Sequence, residues 1–599
     1  MKFIDLKIWL HMQILDVTSL VRMLAKQSAL QIFMRNATRL AHDHLSKCPL
    51  PSEERDVPLI SFVVPVFNTK IRYLNDLMVS FQRQLETVPA CELILSDDGS
   101  TDAATCAWLA RVEGVRGVRA VRCGTNGGIA AATNRGVAAA QGDWIGFVDH
   151  DDALAPYAAG MIADTLRRHP ECQFLYTDEI VADRRLRPLD CFFKPAWDPV
   201  LLSGVNYINH LSLFRRERLL SIGGLRGGFE GSQDYDLVLR YTAGLDERQI
   251  LHLPYPAYLW RRDGSGYSDR LRIQATQAAR RALADAYCGD SWSVSVGEAI
   301  KSDLHRLRFD EALVDWPLVS VVIPSLEHID LISKILSDLY HRTDYPNLEV
   351  IVVDNGTRSP EVLALYATHC ATYRGFRALV EEEPFNFSRS VNRGLAATSG
   401  SMILLLNNDI EVTESGWLKE MVSCMGYSGV GIVGAKLVYP DGSLQHAGVI
   451  VGFGQLAGHW FVGQAGDFAG PMGRFFVRQS FSAVTGACML ISRECLAKVG
   501  AFDEEAFAIA YNDVDYCLRA VSSGYRVVWT PFATLTHHES ATRGSDAVAK
   551  NIERFQREQA NLREAHATHL FEDRAINPWW SKDRADPIIA HLKTLPDAR

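Results

Sequence analysis

The stretch Gly142-Asp-Trp-Ile-Gly-Phe-Val-Asp-His-Asp-Asp152 decides how this chain is read. Trp144 to Val148 is an apolar run of the kind that forms a buried strand, and it ends in Asp149, Asp151 and Asp152. Acids at the carboxyl end of a strand lie where open α/β sheets place their ligands. Carboxylates one residue apart suit a hard cation that already carries phosphate oxygens. The stretch also has an echo: Gly400-Ser-Met-Ile-Leu-Leu-Leu-Asn-Asn-Asp409 repeats its pattern 258 positions later.

Upstream, Leu59-Ile-Ser-Phe-Val-Val-Pro-Val-Phe-Asn68 is a strand running into a Pro-containing loop. A helical pattern (Leu74, Leu77, Met78, Phe81) and a second strand, Glu92 to Ser96, follow, closed by Asp97-Asp98-Gly99-Ser100. Strand, helix, strand at this spacing is a βαβ unit, so the sheet is expected to be parallel. Leu318 to Pro324, Asp354-Asn355-Gly356 and Asn392-Arg393-Gly394 repeat Leu59 to Pro65, Asp97-Asp98-Gly99 and Asn134-Arg135-Gly136 at nearly the same offset. A period this long means a duplicated domain and not a solenoid. Neither Gly-x-Gly-x-x-Gly nor a Gly-Lys-Ser/Thr loop is present, which argues against a dehydrogenase or a P-loop enzyme.

The 599 residues exceed what one core can organise, and 47% apolar with 22% charged is a globular composition. A net charge of −9 without a basic block speaks against a nucleic-acid partner. Twelve cysteines with no Cys-x-x-Cys pair read as free thiols in a reducing compartment. No apolar run approaches the ~20 residues that span a bilayer. Lys2, Asp5, Lys7, His11 and Asp16 interrupt any signal peptide, so a cytoplasmic location is expected. Residues 1–45 form an amphipathic helical pattern (Phe3, Ile4, Trp9, Leu10, Ile14, Leu15). It suits packing on a neighbouring domain better than a peripheral membrane contact.

Val64-Pro-Val-Phe-Asn68, Asp97-Asp-Gly-Ser100, Asp149-His-Asp-Asp152 and Gln233-Asp-Tyr-Asp236 together resemble the family 2 glycosyltransferases of GT-A fold. Their tandem arrangement is similar to enzymes of bacterial O-antigen and related surface polysaccharides. Pro384-Phe-Asn-Phe-Ser388, Ala435 to Gly442, Gln445-His-Ala-Gly448 and Asn512-Asp-Val-Asp515 match the same type. The resemblance implies an α/β chain with two GT-A domains, 57–270 and 316–545. A helical extension (1–56), a structured spacer (271–315) and a helical tail (546–599) complete it. It also implies nucleotide-diphosphate sugars as donors, and a glycan or lipid-linked oligosaccharide as acceptor.

By the same resemblance, Asp151 holds Mn²⁺ or Mg²⁺, with Asp149 beside the sugar-nucleotide. Asp98 accepts from the base next to Asp97, and Pro65 and Asn68 line the pocket. Asp234 is the general base of an inverting displacement, and Asp236 is structural. Trp260 resembles a Trp that closes over the diphosphate towards the acceptor, although the same residue would serve equally as core.

The second copy departs from the first. Pro324, Asp354 and Asn355 stand at the donor positions, so an amide replaces Asp98. Asn407-Asn408-Asp409 keeps one carboxylate, and a further ligand is expected from His537 or His538; imidazole suits Mn²⁺ better than Mg²⁺. Asp513 is the matching base. Thr485, Gly486 and Ala487 would lie under the acceptor. Asp409 and Asp513 are 104 residues apart, against 83 between Asp151 and Asp234. The extra length is aromatic (Trp460, Phe461, Phe475, Phe476); such residues can stack on sugars or fill a core, and the region is expected to bind acceptor. The expected activity is bifunctional sugar transfer. The alternative is one active copy, the first, beside an acceptor-binding one.

Overall fold

The computed structural model describes residues 27–48, 59–262, 272–288, 294–309, 315–539, 549–584 and 588–599. The strands of the first half are β1 (Ile60–Val66), β2 (Cys91–Asp97), β3 (Val118–Arg122), β4 (Trp144–Phe147), β5 (Ala153–Leu154), β6 (Phe174–Ala182), β7 (Pro188–Phe192), β8 (Ser212–Arg215) and β9 (Ile250–Arg261). A spacer hairpin follows, β10 (Ser295–Glu298) and β11 (His305–Arg308). The second half begins with β12 (Val319–Ser325), β13 (Leu348–Asp354), β14 (Phe376–Val380), β15 (Met402–Leu406), β16 (Ile410–Val412) and β17 (Val430–Val438). It continues with β18 (Leu444–His446), β19 (Val449–Val451), β20 (Ala457–His459), β21 (Gln479–Phe481), β22 (Cys488–Ser492) and β23 (Arg526–His537).

Each half builds one large sheet, and β19 and β20 form a separate two-stranded sheet in the second. The orders are β3-β2-β1-β4-β8-β6-β9-β5 and β14-β13-β12-β15-β22-β17-β23-β16, the same path twice. The expected parallel arrangement holds for β3-β2-β1-β4 and its counterpart. Beyond β4 the sheet is mixed: β8 is antiparallel to β4 and β6, and β9 is parallel to β6. Long-range packing sets that half, with no local crossover signature for a sequence to carry.

The repeated glycines have a packing reason. A Cβ on Gly136 would come within 2.4 Å of Val63 Cγ1, and on Gly394 within 2.3 Å of Val322 Cγ1. The Asn-Arg-Gly helices, Ile129–Ala139 and Phe387–Ala396, therefore lie directly on the first strand of their sheets.

One apolar cluster runs through both halves, holding Leu201, Tyr235 and Leu237 of the first with Trp417, Tyr427 and Val477 of the second. Ser203 Oγ and Tyr427 OH are 2.7 Å apart across the boundary, and Asp198 accepts from Ser480 N at 2.7 Å. The spacer is structured as expected: helix Arg272–Tyr287 and the hairpin pack into the same seam. Its strand starts at Ser295; Trp292 lies outside the described residues. Buried Arg478 grips Glu420 with two bonds of 2.7 Å and donates to Leu307 O of β11.

Helix 27–47 buries Leu30, Phe33, Ala37 and Leu40 in the core of the first half; the Phe3 to Leu15 pattern lies outside the described residues. Helix Ala549–His566 packs on the second half, where Glu558 accepts from Ile509 N and Ala510 N. The chain then leaves helix and returns to the first half. Asn577 Nδ2 donates to both oxygens of Asp178 and to Lys194 O, Trp579 Nε1 donates to Pro254 O, and Arg599 pairs its backbone with His252. Trp579 and Trp580 stack edge-on against Phe33 and Phe193, which accounts for the Trp pair. Among the described residues, no helix is long and apolar enough to cross a membrane.

Candidate active site

Both acidic loops sit at the carboxyl ends of β4 and β15, between strands that run the same way in each copy. In the first copy, the ligand atoms of Asp149, Asp152 and His210 lie within 4.8 Å of one another. Asp152 is buried and already bonded: Tyr258 OH donates to Oδ2 at 2.7 Å and Arg261 N to Oδ1 at 2.6 Å. Burial, with Asp149 and Asp151 close by, pushes its carboxyl well above the ordinary range. The second copy has Ile410 in that place, paired with His537, so it lacks the buried Asp152–Tyr258 hydrogen bond. Asp149 and Asp151 remain half-exposed, and His150 Nδ1 lies 3.9 Å from Asp151 Oδ1.

His210 was not singled out in the sequence. It stacks on Tyr258 at 4.8 Å and lies between Glu179, at 3.0 Å, and Asp149, at 3.4 Å. Burial works against its charge, but bonds to Asp149 and Glu179 outweigh that and raise it well above the ordinary histidine value. The sequence repeat does not mark it, and strand register does. Trp144 pairs with Arg215 as Met402 pairs with Ser492, which sets His210 at the position of Ala487.

In the second copy, His537 Nε2 lies 3.0 Å from Asp409 Oδ1, both buried. His538 turns away to Glu411, 3.3 Å distant and exposed. The geometry thus brings His537, and not His538, to Asp409. In β16–β23, Val412 pairs with Leu535 and Ile410 with His537; in β5–β9, Leu154 pairs with Tyr258. Trp260 therefore occupies the position of His537 in the first copy. Its ring lies 5.9 Å from Phe192 and 5.8 Å from His210.

The paired acids resolve cleanly. Asp236 is buried against Arg226 and Arg240, and Asp515 against Arg519 and His566. Asp234 and Asp513 make no ion pair among the described residues. Each takes one neutral donor from the neighbouring loop: Asn206 Nδ2 to Asp234 Oδ2 at 3.0 Å, and Gly486 N to Asp513 Oδ2 at 2.9 Å. Both stand in the first turn of a helix, Gln233–Thr242 or Asn512–Ser522, where a carboxylate is favoured. Burial raises the carboxyl of Asp234 above its ordinary value, against a partial opposing pull from His210.

The donor-side residues are largely engaged in holding their own turns. Asp97 Oδ1 accepts from Ser100 N. Asp98 accepts from Gly127 N, Gly128 N and Arg135, the last at 2.6 Å. Asn68 and Glu327 adopt the same left-handed turn after Pro65 and Pro324, with φ of 46° and 52°. Asn68 Oδ1 accepts from Thr101 N and Asp102 N. Asp354 is held by Gly356 N, Thr357 N and Tyr366 OH, and Asn355 Oδ1 accepts from Ser390. Asn407 N donates to Ala487 O, tying the acid loop to the Thr485-Gly486-Ala487 segment. The aromatic segment expected to bind acceptor instead supplies core: Trp460 and Phe475 are buried edge-on with Phe481, and Phe461 and Phe476 are half-buried. His446 and His459 of that segment do reach the site, 3.0 Å apart, with Thr485 N directed at His446 Nε2.

The family model "Glycosyl transferase family 2" matches residues 61–222 and 320–500. An uncharacterised protein, y4gI, of Sinorhizobium fredii is 38% identical over 89% of this chain and 59% of its own length. The O-antigen biosynthesis protein RfbC of Myxococcus xanthus is 36% identical over 82% of this chain and 38% of its own. The chain thus spans well under two thirds of either relative. Among solved structures, the mannosyltransferase PcManGT of Pyrobaculum calidifontis, in complex with GDP-Man and Mn²⁺, is 18% identical with a TM-score of 0.32. That match covers 51% of this chain and 76% of PcManGT. S. aureus TarS 1-349 with UDP-GlcNAc has the same identity and TM-score, covering 38% and 66%. This chain belongs to glycosyl transferase family 2, whose α/β domain of GT-A type it carries twice.

Proposed function

We propose that the chain is an inverting, bifunctional glycosyltransferase. Each copy moves a sugar from a nucleotide-diphosphate donor to a hydroxyl of a growing, lipid-linked bacterial surface glycan. The observation that carries the reading is the pairing of acids at the two helix starts. In both copies one acid is paired with arginine, and the other, Asp234 or Asp513, makes no ion pair among the described residues and accepts from a neutral donor. A carboxylate so placed accepts the proton of the attacking hydroxyl, worth roughly 10²–10⁴ in rate. One base and one displacement invert the anomeric carbon. The relative from M. xanthus, an O-antigen biosynthesis protein, supports the substrate class.

The residues present suit a divalent cation. Asp149 and Asp151 offer half-exposed carboxylates in the first copy, and Asp409 with His537 an oxygen and a nitrogen in the second. Mn²⁺ or Mg²⁺ held there would neutralise the leaving diphosphate as a Lewis acid. Asp409 and His537 also favour a competent second copy over one kept only to bind acceptor. A lipid-linked acceptor would bring the chain to the inner face of the cell membrane. The test is a panel of nucleotide sugars, followed by release of nucleoside diphosphate with and without a chelator. Release from no donor in the panel, or full turnover in excess chelator, contradicts the reading.

A further inference from the structure

In the second site, the proton positions around His537 follow from its partners. The carboxylate of Glu539 can only accept, so the Gln445 atom 3.1 Å from it is the amide nitrogen. Gln445 Oε1, which can only accept, then stands 2.7 Å from His537 Nδ1. In the neutral ring the proton is therefore on Nδ1, because the partner of one ring nitrogen sets the state of the other. Nε2 turns its lone pair on Asp409 Oδ1 at 3.0 Å. An Nε2 lone pair and a carboxylate oxygen at that separation can hold one cation between them, a proton or a metal ion. Gln445, Asp409 and His537 are all buried, so water does little to relieve the repulsion.

The first copy lacks the whole arrangement. Trp260 stands at the position of His537 and packs 5.9 Å from Phe192 of β7, whereas His537 meets Gln445 of β18. Gln445 is supplied by the strand that pairs with the end of β17, so an element outside the acid loop selects the ring state inside it.

We infer that Gln445 is a positioning residue for a divalent cation in the second copy. Its amide oxygen fixes the His537 tautomer that can bind the ion with Asp409, and Glu539 holds the amide the right way round. The inference rests on the cation-dependent reading proposed above.

The test is Mn²⁺ binding to the full chain by calorimetry or electron paramagnetic resonance. His537→Ala identifies the share of binding that belongs to the second site. Gln445→Leu removes the acceptor without adding charge and is expected to weaken that share about 10–100-fold. The exchange Gln445→Glu with Glu539→Gln presents Nδ1 with a carboxylate and keeps both hydrogen bonds; binding should return to near the unmodified level. Unchanged affinity in Gln445→Leu, with His537→Ala still abolishing that share, overturns the inference and leaves the cation reading intact. An exchanged chain as weak as Gln445→Leu also overturns it. If the unmodified chain shows no His537-dependent Mn²⁺ binding, the cation reading itself falls.

Discussion

His537 Nε2 lies 3.0 Å from Asp409 Oδ1, and at the same register of the other sheet Trp260 packs 5.9 Å from Phe192. The two copies therefore offer a cation different donor atoms. The second, with an imidazole, should be rescued from chelation by lower Mn²⁺ than Mg²⁺; the first, with carboxylates, should discriminate less. Transfer rates against added metal, in chains carrying one active base each, check this.

Asp234 must be ionised to accept a proton, so first-site activity is present above its pKa and lost as pH falls through it. Burial raises that carboxyl. In a chain carrying Asp513→Asn, the acid limb of kcat/KM should lie above the ordinary aspartate range of about 3.9. An acid limb at or below that range would contradict the assignment.

Glu420 joins the spacer to the second sheet, receiving Arg478 twice, Arg306 and Thr530. Removing one partner of a buried pair strands the others, so Glu420→Ala should cost about 3–5 kcal/mol in denaturant unfolding. Burial opposes the charge of Glu420, but Arg478 and then Arg306 outweigh it and hold the carboxyl below its usual value. Its stabilisation is therefore complete above the unfolded-state pKa and fades as pH falls towards the folded one.

Asn577 and Trp579 fasten the end of the chain to the first half, across the second. Trp579→Ala should cost about 3–5 kcal/mol. Asn577→Ala, which takes two hydrogen bonds from buried Asp178, should cost about 1.5–3 kcal/mol. Because one apolar cluster spans both halves, calorimetry should show the whole unfolding transition move and not a split one.

The sequence shows the strand-end acids and their repeat plainly, because those signals are local: an apolar run, an acid, a glycine where a helix meets a strand. That Asp234 and Asp513 stand near a helix start was legible locally, whereas their role as bases came from the family resemblance alone. The choice between His537 and His538 was not, since neighbours on a strand point to opposite faces and only the pairing with Ile410 tells which faces Asp409. His210 sits in an unmarked Asn-His pair, and strand register alone sets it at the position that Ala487 holds in the second copy. Trp460 and Phe475, expected to form a sugar platform, are core by their burial, and the tail's return to the first half has no local signature at all.

The most direct measurement is product analysis with Asp234→Asn and Asp513→Asn in separate full-length chains. Each substitution is expected to abolish one sugar transfer, by roughly 10²-fold or more, and leave the other intact. A single variant that abolishes both transfers, or either variant that keeps both, would contradict two independent sites.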